Sequence, residues 1–308
     1  VKDPEENEDL TFFLKSIAPT LSSIEEYDEA RRMAQILIDN KLADYPLYHM
    51  AAISGYAAGE FEAAERHLRV VAENLPRLVD KNQPVEGIIA ECFLNLEYHR
   101  TAWEKEQAIR EQEKLAGDLP RVKLVTIRGE IELELFENEA PNTVANFISL
   151  VEKGFYDGLT FHRVLPQATA QAGCPEGDGS GGPGYTIRCE CTQPNARIHF
   201  RGSLSMANEE RDKGGSAFQI VFRPFRNFDG QHTVFGRVVR GMGVLGRLQR
   251  RDPTPLNKES LPPADKILTA EVIRKRNHPY EPKITPDEKP DEKDEKIRKE
   301  IMPFDFPQ

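Results

Sequence analysis

At Gly117-Asp118-Leu119-Pro120 the hydrophobic period of this chain changes, and a single kind of secondary structure cannot run through that change. Upstream, Phe61, Ala64, Leu68 and Val71 recur at three- and four-residue steps, the spacing of one helix face, and Pro76 stops the helix. Downstream, Val122–Ile127 and Ile131–Phe136 are rich in β-formers and are joined by Arg128-Gly129-Glu130, which reads as a hairpin. The chain must therefore fold as an α unit followed by a β unit, an α+β multidomain protein. The expected division is a helical unit over residues 1–116, a β unit over 117–279 and a tail over 280–308. Its 308 residues are enough for about two cores.

The helical unit contains an internal repeat. Glu26-Tyr27-Asp28-Glu29-Ala30-Arg31-Arg32 aligns with Glu60-Phe61-Glu62-Ala63-Ala64-Glu65-Arg66 at an offset of 34 residues, and the match continues from Leu37 to Val71 and from Asn40 to Asn74. That offset is the period of the tetratricopeptide helical hairpin, and the segment resembles about two such repeats. Ala52 supplies the small residue where the opening helix of the second hairpin approaches its neighbour, whereas the first hairpin lacks a clear opening helix. A long helix from Val85 to about Leu115 closes the stack. No acid, base and nucleophile cluster in this unit, so a concave surface that binds a protein partner is its expected role.

In the β unit, Ala140-Pro141-Asn142 opens a helix with Pro in its first turn, Val144, Phe147, Ile148 and Val151 form its buried stripe, and Gly154 ends it. Short strands punctuated by Gly and Pro follow, then a helix near Val244–Leu248 and a closing strand at Lys266–Arg274. Many short strands with two helices suit a closed antiparallel barrel capped by those helices.

Four separated segments carry a family resemblance: Phe161-His162-Arg163-Val164-Leu165-Pro166 with Gln171 and the glycine run Gly177–Gly184; Ser205-Met206-Ala207-Asn208; Gly214-Gly215-Ser216; and Phe228 to Gly236. In this order and at these distances, Val122 to Lys275 resembles a cyclophilin, the β-barrel family of peptidyl-prolyl isomerases. The resemblance implies catalysis on proline-containing polypeptides without a cofactor or metal. It places Arg163 at the catalytic arginine position and gives Gln171, Ala207, Asn208, Phe228 and His232 to substrate binding, with Phe228 standing where Leu is most frequent.

The chemistry fits those residue types. The isomerisation barrier of ~18–20 kcal/mol comes from amide resonance, lost as the C–N bond twists. An enzyme lowers it by binding the twisted amide better than either planar form. A permanently charged guanidinium with fixed donors suits that task. One charge-assisted hydrogen bond contributes roughly 1.5–3 kcal/mol, about one to two decades of rate.

Several apolar positions of the resemblance are degenerate. Where the family usually has Phe-Met, this chain has Ala168-Thr169; its Ser-Gln-Phe-Phe becomes Ser216-Ala217-Phe218-Gln219; and its Trp or His before Leu-Asp-Gly becomes Asn227. Each aromatic buries about 150–250 Å², so a wider, wetter proline slot and weak turnover are expected. The alternative is a peptide-binding or scaffolding protein on the same fold, without useful turnover. An enlarged pocket adapted to a bulkier ligand is a third reading.

Other features exclude functions. A charge of −10 argues against a nucleic-acid backbone as ligand, and no apolar run is long enough to span a membrane. The glycine run lacks a following Gly-Lys-Ser/Thr and a helix, so it is not a phosphate loop. Cys189-Glu190-Cys191, read as a continuation of the strand at Tyr185-Thr186-Ile187, places its thiols on opposite faces. Reduced cysteines, with no shared metal, are therefore expected there. The compartment is open between cytoplasm and cell envelope: the chain starts at Val1, consistent with a removed leader. From Glu281 to Glu300, 14 of 20 residues are charged, which predicts disorder or a transient helix. The apolar end Ile301–Pro307 is a candidate for docking onto the helical unit.

Overall fold

The computed structural model describes residues 8–78, 85–208, 210–253 and 261–286. Five helices come first: α1 (Glu8–Ser23), α2 (Tyr27–Asp39), α3 (Tyr45–Ala57), α4 (Phe61–Leu78) and α5 (Val85–Ala116). The repeat read from the sequence is visible in the packing. Tyr27, Ala30, Ala34 and Leu37 of α2 are buried, and so are Phe61, Ala64, Leu68 and Val71 of α4, each 34 residues on. Even the turns correspond: Glu25 and Gly59, at the same offset, both adopt positive φ. One expectation is corrected, because α1 supplies the opening helix that the first hairpin seemed to lack. It runs through Pro19, a residue without the N–H that a helix interior uses. Asp44 caps α3 by accepting from Leu47 N at 3.2 Å. No helix among the described residues is long and apolar enough to cross a membrane.

The strands follow: β1 (Arg121–Thr126), β2 (Gly129–Leu135), β3 (Arg163–Leu165), β4 (Thr169–Ala172), β5 (Tyr185–Thr186), β6 (Ser203–Met206), β7 (Phe218–Val221), β8 (Val234–Arg240), β9 (Ile267–Arg274) and β10 (Thr285–Pro286). Eight of them form one antiparallel sheet in the order β3-β4-β7-β6-β8-β2-β1-β9. The sheet curls until its edges meet through the bridge Thr160↔Lys266, flanked by Phe161 N to Asp265 O at 2.8 Å. Its interior is packed by Leu124, Leu133, Phe147, Phe161, Phe218, Ile220 and Phe235, all essentially inaccessible. Helices α6 (Pro141–Glu152) and α7 (Met242–Gly246) cover it. Glu190 caps α6 from outside the helix, accepting from Asn142 N at 3.0 Å and Thr143 N at 2.8 Å.

Glu190 also explains a second correction. The strand reading of the cysteine segment fails because β5 ends at Thr186 and the chain turns. There Asp212 Oδ1 accepts from Cys189 N and Thr233 Oγ1 accepts from Glu190 N, so side chains take the place of a strand partner. Cys189 and Cys191 lie on one side and are joined as a disulfide rather than reduced. At the other end, residues 280–286, assigned by composition to the tail, pack on the barrel. Tyr280 is buried with its hydroxyl donating to Glu137 at 2.7 Å, and β10 pairs with β5. The rest of the charged run and the apolar end at 301–308 lie outside the described residues, as does their docking.

The α unit and the barrel are joined by buried charge. Along α5, Glu91, Asn95, Tyr98, Ala102, Glu106, Ile109 and Glu113 follow helical spacing, and five of them bind barrel side chains. Arg197, with 3% of its side chain exposed, forks onto Glu106 at 2.7 and 2.8 Å and reaches Glu113 at 2.6 Å. Arg237 bridges Glu113 to Glu134, and Arg223 forks onto Glu91 at 2.8 and 3.0 Å. Burial alone would raise the Glu106 carboxyl, but its hydrogen bonds and proximity to Arg197 hold it below the ordinary value. Apolar contact crosses the same boundary: Phe200 belongs to the cluster of Tyr56, Phe61 and Leu68, and Tyr27 packs with the barrel core.

Candidate functional site

Strand register assembles the site. Arg163 of β3 pairs with Gln171 of β4, Gln171 with Gln219 of β7, and Gln219 with Ser205 of β6. Residues directly opposite in a ladder project to the same face, so these four form a polar row across four strands. Within it Gln171 Nε2 donates to Gln219 Oε1 at 3.1 Å. Gln219 and Ser205 are buried, and Gln219 Nε2 and Ser205 Oγ lack hydrogen-bond partners among the described residues.

Arg163 and Gln171 line a cleft of about 470 Å³ together with Ala207, Asn208 and Ala217, and with His162, Asp178, Gly179, Asp252 and Pro253. A second hollow of about 280 Å³ shares Gly179, Ala207, Asn208 and Ala217 and runs along the glycine loop. That loop is not turned toward a phosphate: the N–H groups of Gly179 and Gly181 each point at Cys174 Sγ at 3.2 Å. His232 joins the cleft through Asn208, its Nδ1 lying 3.3 Å from Asn208 Oδ1. Phe228 sits edge-on to His232, with ring centroids 4.9 Å apart. The structure thus brings Arg163, Gln171, Ala207 and Asn208 to one cleft, while His232 and Phe228 are outside its lining and connect to it through Asn208. Of the degenerate positions, Ala217 lines the cleft and Ala168 is half-buried. Thr169 is buried, Gln219 sits behind Gln171, and Asn227 is exposed.

The guanidinium stands in a neutralised setting. Burial lowers the pKa of His162 below the ordinary histidine value, and burial with nearby His199 does the same to His232, so both rings are neutral at pH 7. Arg163 Nε faces Asp252 Oδ1 at 3.4 Å, and neither atom makes a hydrogen bond among the described residues. Sequence reasoning missed Asp252, Asp178 and Pro253. Asp252 is 89 positions from Arg163 and carries no motif; the bridge of Val164 to Arg251, with Arg251 Nε donating to the His162 carbonyl, brings it there. Among the described residues no three His, Cys, Asp or Glu side chains converge to hold a metal ion.

Comparison with known proteins places the barrel. The profile for cyclophilin type peptidyl-prolyl cis-trans isomerase/CLD matches residues 121–272. Peptidyl-prolyl cis-trans isomerase B of Bacillus subtilis is 56% identical over 123 residues, covering 40% of this chain and 85% of that protein. A peptidyl-prolyl cis-trans isomerase of Helicobacter pylori is 45% identical over 150 residues, covering 48% of this chain and 90% of that one. The crystal structure of a Cryptosporidium parvum cyclophilin type isomerase aligns with a TM-score of 0.45 at 25% identity, over 51% of this chain and 99% of that one. This chain belongs to the cyclophilin-type peptidyl-prolyl cis-trans isomerase family.

Proposed function

We propose that this peptidyl-prolyl isomerase works through Arg163, with Gln171, Ala207 and Asn208 holding the backbone of the residues before proline and Phe228 and His232 walling the proline slot. The observation that carries this reading is the cross-strand row from Arg163 to Ser205, which sets a guanidinium and an amide side by side at the floor of one cleft. Twisting the prolyl amide localises a lone pair on nitrogen, and a guanidinium donor stabilises that pair more than it stabilises the planar amide. Arg163 needs no proton transfer to do so, which suits a site whose two histidines are neutral. Gln219 and Thr169, in place of apolar walls, reduce the grip on the proline ring, so turnover is weak. The helical unit, residues 1–116, recruits a protein partner. Support for this comes from Phe12 and Phe13 on α1 and Phe93 and Leu94 on α5, large apolar side chains left exposed.

Arg163→Lys tests the reading, since it keeps the charge but loses the planar fork. In a protease-coupled assay on Xaa-Pro peptides, kcat/KM should fall at least about tenfold. An unchanged kcat/KM would remove the guanidinium from the mechanism.

A further inference from the structure

The turn that carries Phe228 is held from behind by the α unit. Phe228 ends a 3₁₀ turn, Arg226–Phe228. Its ring stacks on Phe225 at 4.8 Å and meets His199 and His232 edge-on at 5.6 and 4.9 Å. The next residue, Asp229, accepts three hydrogen bonds: from His199 N at 2.9 Å, from His199 Nδ1 at 2.8 Å and from the hydroxyl of Tyr98 on α5 at 3.0 Å. Burial, with Asp229 beside it, pushes the Tyr98 phenol up to about 12, so it remains a donor throughout the neutral range. Two further α5 side chains hold the same turn. Asn95 accepts from Arg226, whose guanidinium lies 4.4 Å over the Tyr98 ring. Glu91 fixes Arg223, which covers the Phe225 ring at 4.1 Å.

The opposite edge of the slot is tied to the α unit as well. Ala168 follows Gln167, a non-glycine residue held at φ +56°. The Gln167 N–H donates to Glu25 Oε1 at 3.0 Å in the α1–α2 turn, and its carbonyl accepts from Arg223 at 2.9 Å. Asp229 and Gln167, the residues next to Phe228 and Ala168, thus share hydrogen bonds with the α unit, which contributes nothing to the cleft lining.

We propose that Tyr98 is a positioning residue for the isomerase site: through Asp229 it sets the placement of Phe228 and His232, so the α unit tunes the barrel's grip on proline. The proposal rests on the reading that Phe228 and His232 wall the slot. A side chain that packs a substrate must be held closely, because small displacements of a binding wall cost affinity. Here the depleted aromatic complement leaves Phe228 with a larger share of that task, and its backbone is fixed from α5.

Three variants of the full chain test this. Tyr98→Phe removes one hydroxyl and leaves the ring under Arg226. Arg110→Ala removes an ion pair with Glu106 and a stacking contact on Trp103 at the same helix, away from the slot. Phe228→Ala removes the wall itself. Proline-peptide affinity, exchange rate, thermal midpoint and the His232 ring shifts are read for each by NMR and calorimetry. The expected result is that Tyr98→Phe weakens peptide binding about fivefold and moves the His232 resonances. Arg110→Ala should lower the thermal midpoint without changing either. Parent-like affinity and His232 shifts in Tyr98→Phe, with Phe228→Ala impaired, overturn the positioning role alone. An equal loss of affinity in Arg110→Ala overturns it too, since the effect would then be general loosening. Parent-like affinity in Phe228→Ala overturns the slot reading and the proposal with it.

Discussion

Arg163 is legible in the sequence through the Phe161-His162-Arg163 segment of the family resemblance, and strand register then delivers Gln171 beside it. What is not legible is the carboxylate opposite. Asp252 belongs to a loop placed by the Val164–Arg251 bridge and by the Arg251 guanidinium donating to the His162 carbonyl, and no local pattern encodes that. The Arg163–Asp252 pair is half-exposed, so it is worth at most about 1 kcal/mol. Asp252→Asn should therefore raise kcat/KM by no more than about fivefold, by freeing the guanidinium for the substrate; a fall in kcat/KM would make Asp252 an anchor of the arginine instead of a competitor. The apolar positions give a stronger test. Ala168→Phe together with Gln219→Phe adds two rings of about 150–250 Å² each to the slot, and peptide affinity should rise in a titration. No gain would mean that the buried amide pair of Gln171 and Gln219, rather than the missing walls, sets the present grip.

Helix α5 is the element that sequence periodicity describes least well. It buries Ile89, Cys92 and Leu96 on one side, yet its barrel-facing side is a stripe of Glu91, Asn95, Tyr98, Glu106 and Glu113. A polar stripe reads as solvent-facing until the partner arginines are known, and those lie in the β unit at Arg197, Arg223 and Arg237. The repeat helices α2 and α4 are easier to see, because small and apolar residues recur there at a fixed offset, whereas the opening helix α1 is not. Where α3, α4 and α5 meet, His99 is 1% exposed, hydrogen-bonded to Tyr56 and flanked by Phe61 and Phe200. Burial lowers its pKa from 6.5 to about 4. The unfolded chain binds the proton at higher pH than the folded one, so stability is complete above pH 6.5 and drains away as pH falls to about 4. That linkage is worth on the order of 3 kcal/mol. Chemical denaturation of the full chain should show a falling midpoint across this window, and His99→Gln should flatten the slope. An identical slope in both would place the linkage at other groups.

The whole molecule is an isomerase barrel whose back is closed by helices. Composition and motif spacing separate the two units at Gly117, but they do not show that Arg197 and Arg223, almost fully buried, find their carboxylates on α5. A barrel cut free at Gly117 would lose the pairs to Glu91, Glu106 and Glu113 and would uncover Phe200, which packs among Tyr56, Phe61 and Leu68. A fragment of residues 117–286 should therefore unfold at a markedly lower denaturant midpoint than the full chain. Equal midpoints would show that the interface contributes nothing to the barrel. The cysteine pair shows the same limit of sequence reading: its strand character could be extrapolated from Tyr185–Ile187, whereas the turn depends on Asp212 and Thr233 from distant loops. The central claim, that the cleft around Arg163 carries the isomerisation, is tested most directly by two-dimensional exchange NMR on an Xaa-Pro peptide with the parent chain and with Arg163→Ala. The parent should speed cis–trans exchange above the uncatalysed rate, and Arg163→Ala should return it to that rate while keeping the thermal midpoint. Exchange equally fast with both proteins would contradict the account.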